Sequence, residues 1–429
     1  MKPRKLAPGQ VIALSFALAI LLGAVLLMLP IARNPGVRVA FIDALFTSTS
    51  AVCVTGLIAV DTADTFTVFG RTVVALLIQM GGLGVTSLGV GLIAIARGKV
   101  NLRERTFIKE SYNQGTLRGI VGLVKSVLKM TLCFELVGVL LGFIVFSRDY
   151  PLWDALGIAM FHSVAAFNNS GFDILGGLRN LAPYAGDPLL LLTTSGLIIF
   201  GGLGFIVIRE LIHRKRGDRL SLHAKVVLTV TGALLAIGTV LIVLTERVSW
   251  LEAFFYSVSA RTAGFSVGPL SAYTNAGLFV ITILMFIGAS PGSTGGGIKT
   301  TTFYVLLRSI WASSTGDHPT AFKRKLPRDI IGRASLITLL ALGLVLVVTF
   351  LLCVLEPKTS FLALLFETVS AFGTVGLSTG ITPDLTSLSK FFLVVTMYIG
   401  RLGPLSVACL WAVKVPSEIS YAEESLAIG

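Results

Sequence analysis

The sequence predicts an all-α integral membrane protein with four repeats of a spanning helix, a short re-entrant helix and a second spanning helix. Three observations predict this fold: an apolar composition, a motif that recurs four times, and an uneven distribution of Lys and Arg. Of the 429 residues, 54% are hydrophobic and 13% are charged, and the mean hydropathy is +0.87. Because about a quarter of the residues in soluble proteins are charged, this composition excludes a water-soluble fold.

One motif occurs at four places in the chain. The copies are "FTSTSAVCVTGL" (46–57), "FHSVAAFNNSGF" (161–172), "FYSVSARTAGF" (255–265) and "FETVSAFGTVGL" (366–377). Each begins with Phe, carries a hydroxyl residue two positions later and an Ala five positions later, and ends in Gly plus an apolar residue. A second glycine motif follows each copy within an apolar run: "MGGLG" (80–84), "FGGLG" (200–204), "IGASPG" (287–292) and "IGRLGP" (399–404). Such self-similarity indicates repeated structural units.

The apolar runs around these motifs define the helices of each repeat. We expect first spanning helices at 11–29, 127–146, 226–245 and 332–355, and second ones, each with a glycine break, at 72–96, 189–208, 276–310 and 391–413. The segments at 40–51, 152–166, 250–260 and 360–371 are too short to span a bilayer and are typical of re-entrant helices. The repeat boundaries are then 1–98, 99–213, 214–316 and 317–429.

The distribution of charge predicts how the chain is oriented. With these spans, the termini, the three linkers between repeats and the adjoining ends of the spans hold 24 of the 35 Lys and Arg, the loops on the opposite face hold 8, and three lie within the membrane motifs. By the positive-inside rule, both termini are cytoplasmic and the short helices enter from outside. The net charge of +13 therefore indicates loops that contact anionic lipid, not a nucleic-acid partner.

Four glycine turns at membrane depth indicate one central pore with pseudo-fourfold symmetry, because non-helical backbone inside a membrane must be buried or must line a watery cavity. Rings of backbone carbonyls can replace the hydration shell of an alkali cation. The alternative, that these glycines only permit close helix packing, is disfavoured by their recurrence at four equivalent positions. The candidate site for an alkali cation, a selectivity filter at these glycine turns, consists of Val54, Thr55, Gly56, Asn169, Ser170, Gly171, Thr262, Ala263, Gly264, Thr374, Val375 and Gly376.

These motifs, together with "GASPGSTGGGIKTTTF" (288–303), resemble the Trk/Ktr/HKT superfamily of potassium and sodium transporters. The resemblance covers essentially the whole chain. The short amino terminus is most like that of the Ktr-type membrane subunit for potassium uptake. The resemblance implies a homodimer in a bacterial plasma membrane, bound to a cytoplasmic ring of nucleotide-binding regulatory subunits, with no nucleotide on this chain. It also implies that the cation at the filter glycines is potassium, because Gly at position 56 goes with potassium in the family and Ser there goes with sodium.

The segment at 290–303 is not a phosphate-binding loop. A phosphate-binding loop has a glycine directly before its lysine and follows a strand. Here Ile298 separates Gly297 from Lys299, and a spanning helix precedes the segment, so neither requirement is met. Pro291 and the glycines instead predict a helix that breaks on the cavity side. The resemblance implies an intramembrane gating loop over residues 288–301, and a static polar kink is the alternative. The candidate loop residues are Gly288, Ser290, Pro291, Gly292, Ser293, Thr294, Gly295, Gly296, Gly297 and Lys299.

Two arginines lie within the membrane motifs. Arg401 replaces the second glycine of the "GGLG" pattern, and a guanidinium at that depth must face a cavity or a carboxylate. We expect Arg401 to form a barrier to cations below the glycine turns, and a structural pair with Glu135 is the alternative. Arg261 lies in the third motif, where a structural role, such as a pair with an outer acid, is expected.

The predicted function is potassium uptake through a channel-like pore. A sodium-coupled or sodium-transporting secondary transporter is the alternative, although such transporters usually show two inverted repeats, whereas these four repeats run in one direction. The sequence leaves open whether sodium acts as an activator or as a coupled ion. An enzyme is not predicted, because the sequence shows no nucleophile motif, clustered His or paired intramembrane carboxylates.

Overall fold

Helices dominate the fold, and each quarter of the chain begins with a long helix that is followed by a shorter one. The structure is a computed structural model that describes residues 7–85, 106, 120–214 and 218–408. The predictions for residues 1–6, for most of the first basic linker, for residues 215–217 and for residues 409–429 lie outside the described residues. The ends of the second spans predicted at 72–96 and 391–413 lie there too.

Each quarter of the chain contributes four helices in the described residues. The first quarter contains α1 (Pro8–Met28), α2 (Phe41–Val52), α3 (Thr62–Thr65) and α4 (Val68–Leu83). The second contains α5 (Ile120–Phe146), α6 (Leu152–Phe167), α7 (Pro188–Leu203) and α8 (Phe205–Ile212). The third contains α9 (Leu222–Thr245), α10 (Trp250–Ser259), α11 (Asn275–Phe286) and α12 (Thr300–Thr315). The fourth contains α13 (Arg328–Leu355), α14 (Phe361–Gly373), α15 (Ser387–Leu402) and α16 (Pro404–Ala408). The all-α prediction omits one small hairpin, β1 (Thr320–Ala321) and β2 (Arg324–Lys325).

The first helix of each quarter is a membrane span. Within the described part of the chain, four helices are long and apolar enough to cross a bilayer, and they are α1, α5, α9 and α13, with apolar stretches of 20 to 28 residues. At 1.5 Å per residue these stretches extend about 30–42 Å, against a hydrocarbon core of about 30 Å. The pair α7 and α8 passes the same test together but is bent by 102°.

The second helices are shorter than the sequence predicts. The helices α4, α7 and α15 have 16 residues each and stop at Gly84, Gly204 and Gly403, whose φ angles are 84°, 92° and 89°. Sixteen helical residues extend only about 24 Å. The glycine breaks predicted in these second spans are confirmed, because a residue with positive φ ends a right-handed helix. The interruption predicted within 276–310 is confirmed between α11 and α12.

The hydroxyl residue of the repeated motif docks the short helix onto the preceding long one. In the first three copies its oxygen donates to a long-helix carbonyl at 2.7–3.0 Å: Ser48 to Ile20, Ser163 to Glu135 and Ser257 to Leu235. The fourth copy differs, because the Thr368 hydroxyl donates within α14, to the Leu364 carbonyl at 2.8 Å. A buried hydroxyl needs such a partner, so the hydroxyl helps to fix the position of the short helix in the first three copies.

The last quarter of the chain contacts the first. The Lys390 ammonium lies 2.8 Å from the Asp43 carboxylate, and 9% of the Lys390 side chain is exposed. The Tyr398 hydroxyl donates to the Ala13 carbonyl at 2.7 Å. These contacts join α15 to α1 and α2, so the four quarters form a closed arrangement rather than an open row.

Candidate functional site

The four glycine turns share one backbone path. They are turn 1 (residues 54–56), turn 2 (169–171), turn 3 (262–264) and turn 4 (374–376). Each begins with a non-glycine residue at positive φ, between 49° and 68°, and ends with a glycine at a φ of 67° to 98°. A non-glycine residue with positive φ is uncommon, so its presence at all four equivalent positions shows that the turns have the same local structure.

Each turn is tied to the end of its own short helix. The N–H of the middle residue donates to a carbonyl there at 2.8–2.9 Å: Thr55 to Ser50, Ser170 to Ala165, Ala263 to Ser259 and Val375 to Ser370. In turn 3 the accepting carbonyl lies four residues before the donor, whereas in the other turns it lies five residues before. This difference accommodates the shorter motif of turn 3. Because these amides are satisfied by the helices, the carbonyls of the turns remain available for other partners.

The turns approach one another in a cyclic order. A Cβ added to Gly56 would overlap the Ser170 carbonyl oxygen of turn 2, and one added to Gly171 would lie 2.7 Å from the Ala263 oxygen of turn 3. Gly264 meets the carbonyl of turn 4 in the same way, and Gly376 meets the Thr55 carbonyl of turn 1. Every turn therefore places a carbonyl oxygen against the glycine of the preceding turn, and only glycine fits there.

All twelve predicted site residues lie in these turns and come together. The side chains of the eight non-glycine members are fully buried. The structure brings the four motifs to one place, and their role as a cation site stays a prediction.

The segment at 288–299, which we call the intramembrane loop, lies directly beside the turns. A Cβ on Gly295 would overlap the Thr262 hydroxyl of turn 3, and one on Gly296 would overlap the Thr374 hydroxyl of turn 4. The two ends of the loop meet, since the Gly288 N–H donates to the Ile298 carbonyl at 2.8 Å. The loop is thus an excursion from the α11–α12 axis that passes against two of the four turns.

Backbone hydrogen bonds hold the loop against the end of α7. The Ser290 N–H donates to Gly202 at 3.1 Å and the Thr294 N–H to Gly201 at 3.2 Å. In return the Phe205 N–H donates to the Gly292 carbonyl at 3.0 Å. These bonds satisfy polar groups released where α7 and α11 break, as backbone at membrane depth requires.

Lys299 holds the loop from its other end. Its ammonium donates to the Gly295 carbonyl at 2.7 Å and to the Gly296 carbonyl at 3.3 Å. Those two residues contact turns 3 and 4, so a positive charge lies close behind the part of the loop nearest the turns. The sequence placed Lys299 in the loop but did not predict these contacts.

Arg401 bridges the loop to the first quarter of the chain. Its guanidinium donates to the Thr294 carbonyl of the loop and to the Gly81 carbonyl at the end of α4, with a further contact to Gly82 at 3.4 Å. The alternative pair with Glu135 is wrong, because that carboxylate instead accepts from Asn168 at 3.2 Å. Arg401 is therefore held by backbone carbonyls below the turns.

Arg261 has no acidic partner among the described residues, so the pairing expected for it is wrong. Its two terminal nitrogens each lie 3.4 Å from a carbonyl, of Thr231 in α9 and of Gly288 at the start of the loop, and its Nε has no hydrogen-bond partner in the described structure. A cavity of about 20 Å³ borders Arg261 and Thr231. The residue connects the end of α10 to the loop, which fits the structural role that the sequence suggested.

The outer side of turn 2 contains residues that sequence reasoning missed. Asp173 and Asn180 are both 7% exposed, and the Asn180 amide nitrogen lies 3.0 Å from an Asp173 carboxylate oxygen. Burial raises the pKa of Asp173 to about 6, and the nearby negative charge of Asp61 adds to this. Hydrogen bonds from Leu175 and Asn180 and the positive charge of Arg179 oppose the increase. No motif marks this pair, since the loops after the turns do not repeat.

The fold combines several helices that are apolar and long enough to cross a membrane with four glycine turns that meet at one place. Residues 10–422 match the family model described as TrkH, cation transport protein, so the chain belongs to that family. This match confirms the family resemblance that the sequence motifs indicate.

Individual relatives match over nearly their whole length. The chain is 39% identical to the Ktr system potassium uptake protein B of Bacillus subtilis, over 99% of this chain and 97% of that protein. It is 38% identical to the potassium/sodium uptake protein NtpJ of Enterococcus hirae, over 99% and 98%. The crystal structure of the potassium transporter TrkH from Vibrio parahaemolyticus shares the fold, with a TM-score of 0.74 and 16% identity over 96% of this chain and 86% of that one.

Proposed function

We propose that this chain takes up potassium across the bacterial plasma membrane through one central, channel-like pore with pseudo-fourfold symmetry. The observation that carries the proposal is the cyclic order of contacts among the four turns. In that order the carbonyl oxygens of Thr55, Ser170, Ala263 and Val375 each lie against the glycine of the preceding turn, which supports a ring of carbonyls around one pore. Carbonyl rings of this kind replace the hydration shell of an alkali cation. The short helices direct their negative C-terminal ends at the same place, which also favours a cation.

The names of the relatives support potassium as the ion. Both relatives above are named for potassium uptake, and one is named for potassium and sodium. Gly56 is the residue that favours potassium in the resemblance, and its φ of 92° and its contact with turn 2 leave no room for a side chain. The name potassium/sodium uptake protein supports one alternative, a sodium-coupled or sodium-transporting protein.

The intramembrane loop is the gate in this proposal. It passes against turns 3 and 4, and Arg401 binds it to the first quarter of the chain. The loop contacts its neighbours through a few individual hydrogen bonds. Such a loop can exchange between two discrete arrangements. In the closed state it blocks the route below the turns, and Arg401 and Lys299 add positive charge that opposes cations.

A partner is inferred to move the gate. The Bacillus subtilis relative is named as protein B of a Ktr system, which supports an assembly with a cytoplasmic, nucleotide-binding regulatory ring. The pore subunit is a homodimer in this proposal. Both termini are cytoplasmic, because 24 of the 35 Lys and Arg lie on their side of the membrane.

The test is ion uptake with and without sodium. Purified protein in vesicles loaded with potassium chloride should take up radioactive rubidium when sodium is absent, driven by the potassium gradient alone. Vesicles without protein provide the background. Uptake only with sodium would establish the alternative, and no uptake of either ion by folded protein would refute the proposal.

A further inference from the structure

Asn180 connects turn 2 to the rest of the outer surface. Its amide nitrogen donates to the Gly171 carbonyl oxygen at 3.0 Å and to Asp173 at 3.0 Å. Its amide oxygen accepts from the Leu181 N–H at 3.0 Å and from the Ser266 N–H, in the segment after turn 3, at 3.1 Å. One buried side chain therefore holds the last carbonyl of turn 2 and the segment that leaves turn 3.

This contact makes turn 2 different from the other three turns. In the described part of the chain, the carbonyls of Gly56, Gly264 and Gly376 accept no side-chain hydrogen bond, whereas the Gly171 carbonyl accepts one. A carbonyl that shares a lone pair with an amide donor is a weaker ligand for a cation, and it is less free to turn. Both effects act on properties that set selectivity, which are the field strength and the flexibility of the carbonyls.

The loop that carries Asn180 is itself firmly held. Asn180 has a φ of 49° and Leu178 a φ of 54°, in the left-handed region. The Leu178 N–H donates to Asp61 at 2.6 Å, and the Gly177 N–H donates to Asp64 at 3.0 Å. Asn tolerates this backbone conformation better than most residues. The amide therefore meets the Gly171 carbonyl from a fixed position that the first quarter of the chain supports.

We infer that Asn180 is a positioning residue that sets the ion selectivity of the pore, by holding the Gly171 carbonyl where it suits the larger potassium ion. The inference rests on the proposed function. Without the amide donor, the Gly171 carbonyl can swing toward a smaller ion such as sodium. The main effect of losing Asn180 is then on the choice of ion rather than on folding.

Two variants and a matched control test this role. Asn180→Leu keeps a side chain of similar size but removes the donor without adding a charge beside Asp173, and Leu178 shows that Leu adopts the same positive φ in this loop. Asn180→Gly accepts the positive φ while removing the side chain. Leu178→Gly is the control, because it makes the same backbone change in the same loop at a side chain that is 53% exposed. Gel filtration and thermal unfolding establish that each variant is folded.

The readout is the ratio of potassium to sodium permeability in vesicles. Loss of one hydrogen bond should lower the ratio about 3- to 10-fold in both Asn180 variants, while the Leu178→Gly ratio stays at that of the unaltered protein. An unchanged ratio in a folded Asn180 variant overturns the inference, and so does an equal fall in the control. If one Asn180 variant does not fold, the other decides. Unaltered protein that passes neither ion refutes the proposed function itself, which is a separate and recognisable result.

Discussion

Replacing Arg401 by Ala should raise cation flux through the pore subunit alone. Arg401 donates to the Thr294 carbonyl of the intramembrane loop and to the Gly81 carbonyl of α4. The variant removes the bond that holds the loop and a positive charge beside the proposed route. Both changes favour conduction, because they destabilise the closed loop and lower the barrier to a cation.

The size of the effect follows from the hydrogen bond between Arg401 and the loop. A hydrogen bond to a charged group contributes about 1.5–3 kcal/mol. If this bond is made only when the loop is closed, its loss shifts the equilibrium toward the open state by that amount. Since about 1.4 kcal/mol corresponds to a factor of ten, the open population should rise roughly 10- to 100-fold.

Rubidium flux into vesicles that contain only the pore subunit measures this directly. Arg401→Lys is the matched control, because it keeps the charge but loses the planar fork that reaches two carbonyls. Its flux should lie between those of the unaltered protein and Arg401→Ala. Unchanged flux in folded Arg401→Ala would refute the assignment of Arg401 as a latch, and a loss of yield and thermal stability alone would make it a structural residue.

Three further predictions concern the turns, the loop and the outer acid. Gly56→Ser should impair potassium uptake more than protein abundance, because its side chain would overlap the Ser170 carbonyl. Normal uptake with unchanged ion preference would contradict this. Deletion of residues 292–297 should raise ion flux in folded protein, since the two ends of the loop already meet at Ile287 and Ile298. Flux at or below that of the unaltered protein would show that the loop is a static structural kink. Burial raises the pKa of Asp173 to about 6, so its contribution to stability is present below about pH 4 and is lost as the pH rises through 6. In Asp173→Asn, the thermal stability measured in detergent should no longer fall for this reason as the pH rises through 6. A pH profile identical to that of the unaltered protein would show that Asp173 does not cause the fall.

The repeated motif allowed the location of the site to be predicted from sequence. Four glycines at equivalent positions indicated four turns, and the structure brings Gly56, Gly171, Gly264 and Gly376 together. The breaks in the second helices could also be predicted, because a glycine motif interrupts each apolar run. Which glycine ends the helix could not, since hydropathy continues past Gly84, Gly204 and Gly403 and does not show which of them adopts a positive φ.

The partners of the charged residues were harder to predict. Arg401 and Arg261 bind backbone carbonyls, which every residue carries, so no sequence signal identifies them. Asn180 acts between segments 86 residues apart, at Ser266, in a loop that does not repeat. Sequence reasoning looked for a carboxylate near each arginine because charge pairs can be recognised in a sequence, whereas pairing with carbonyls depends on the folded backbone.

The contact between turn 4 and turn 1 has a consequence for biosynthesis. The chain is made from its amino terminus, so the Thr55 carbonyl has no neighbouring Gly376 until the last quarter has been synthesised and inserted. The same holds for Asp43, whose partner Lys390 lies 347 residues later. Contacts so distant in sequence are slow to form. A truncated chain that lacks the last quarter therefore leaves the Thr55 carbonyl without its Gly376 neighbour and the Asp43 carboxylate without Lys390.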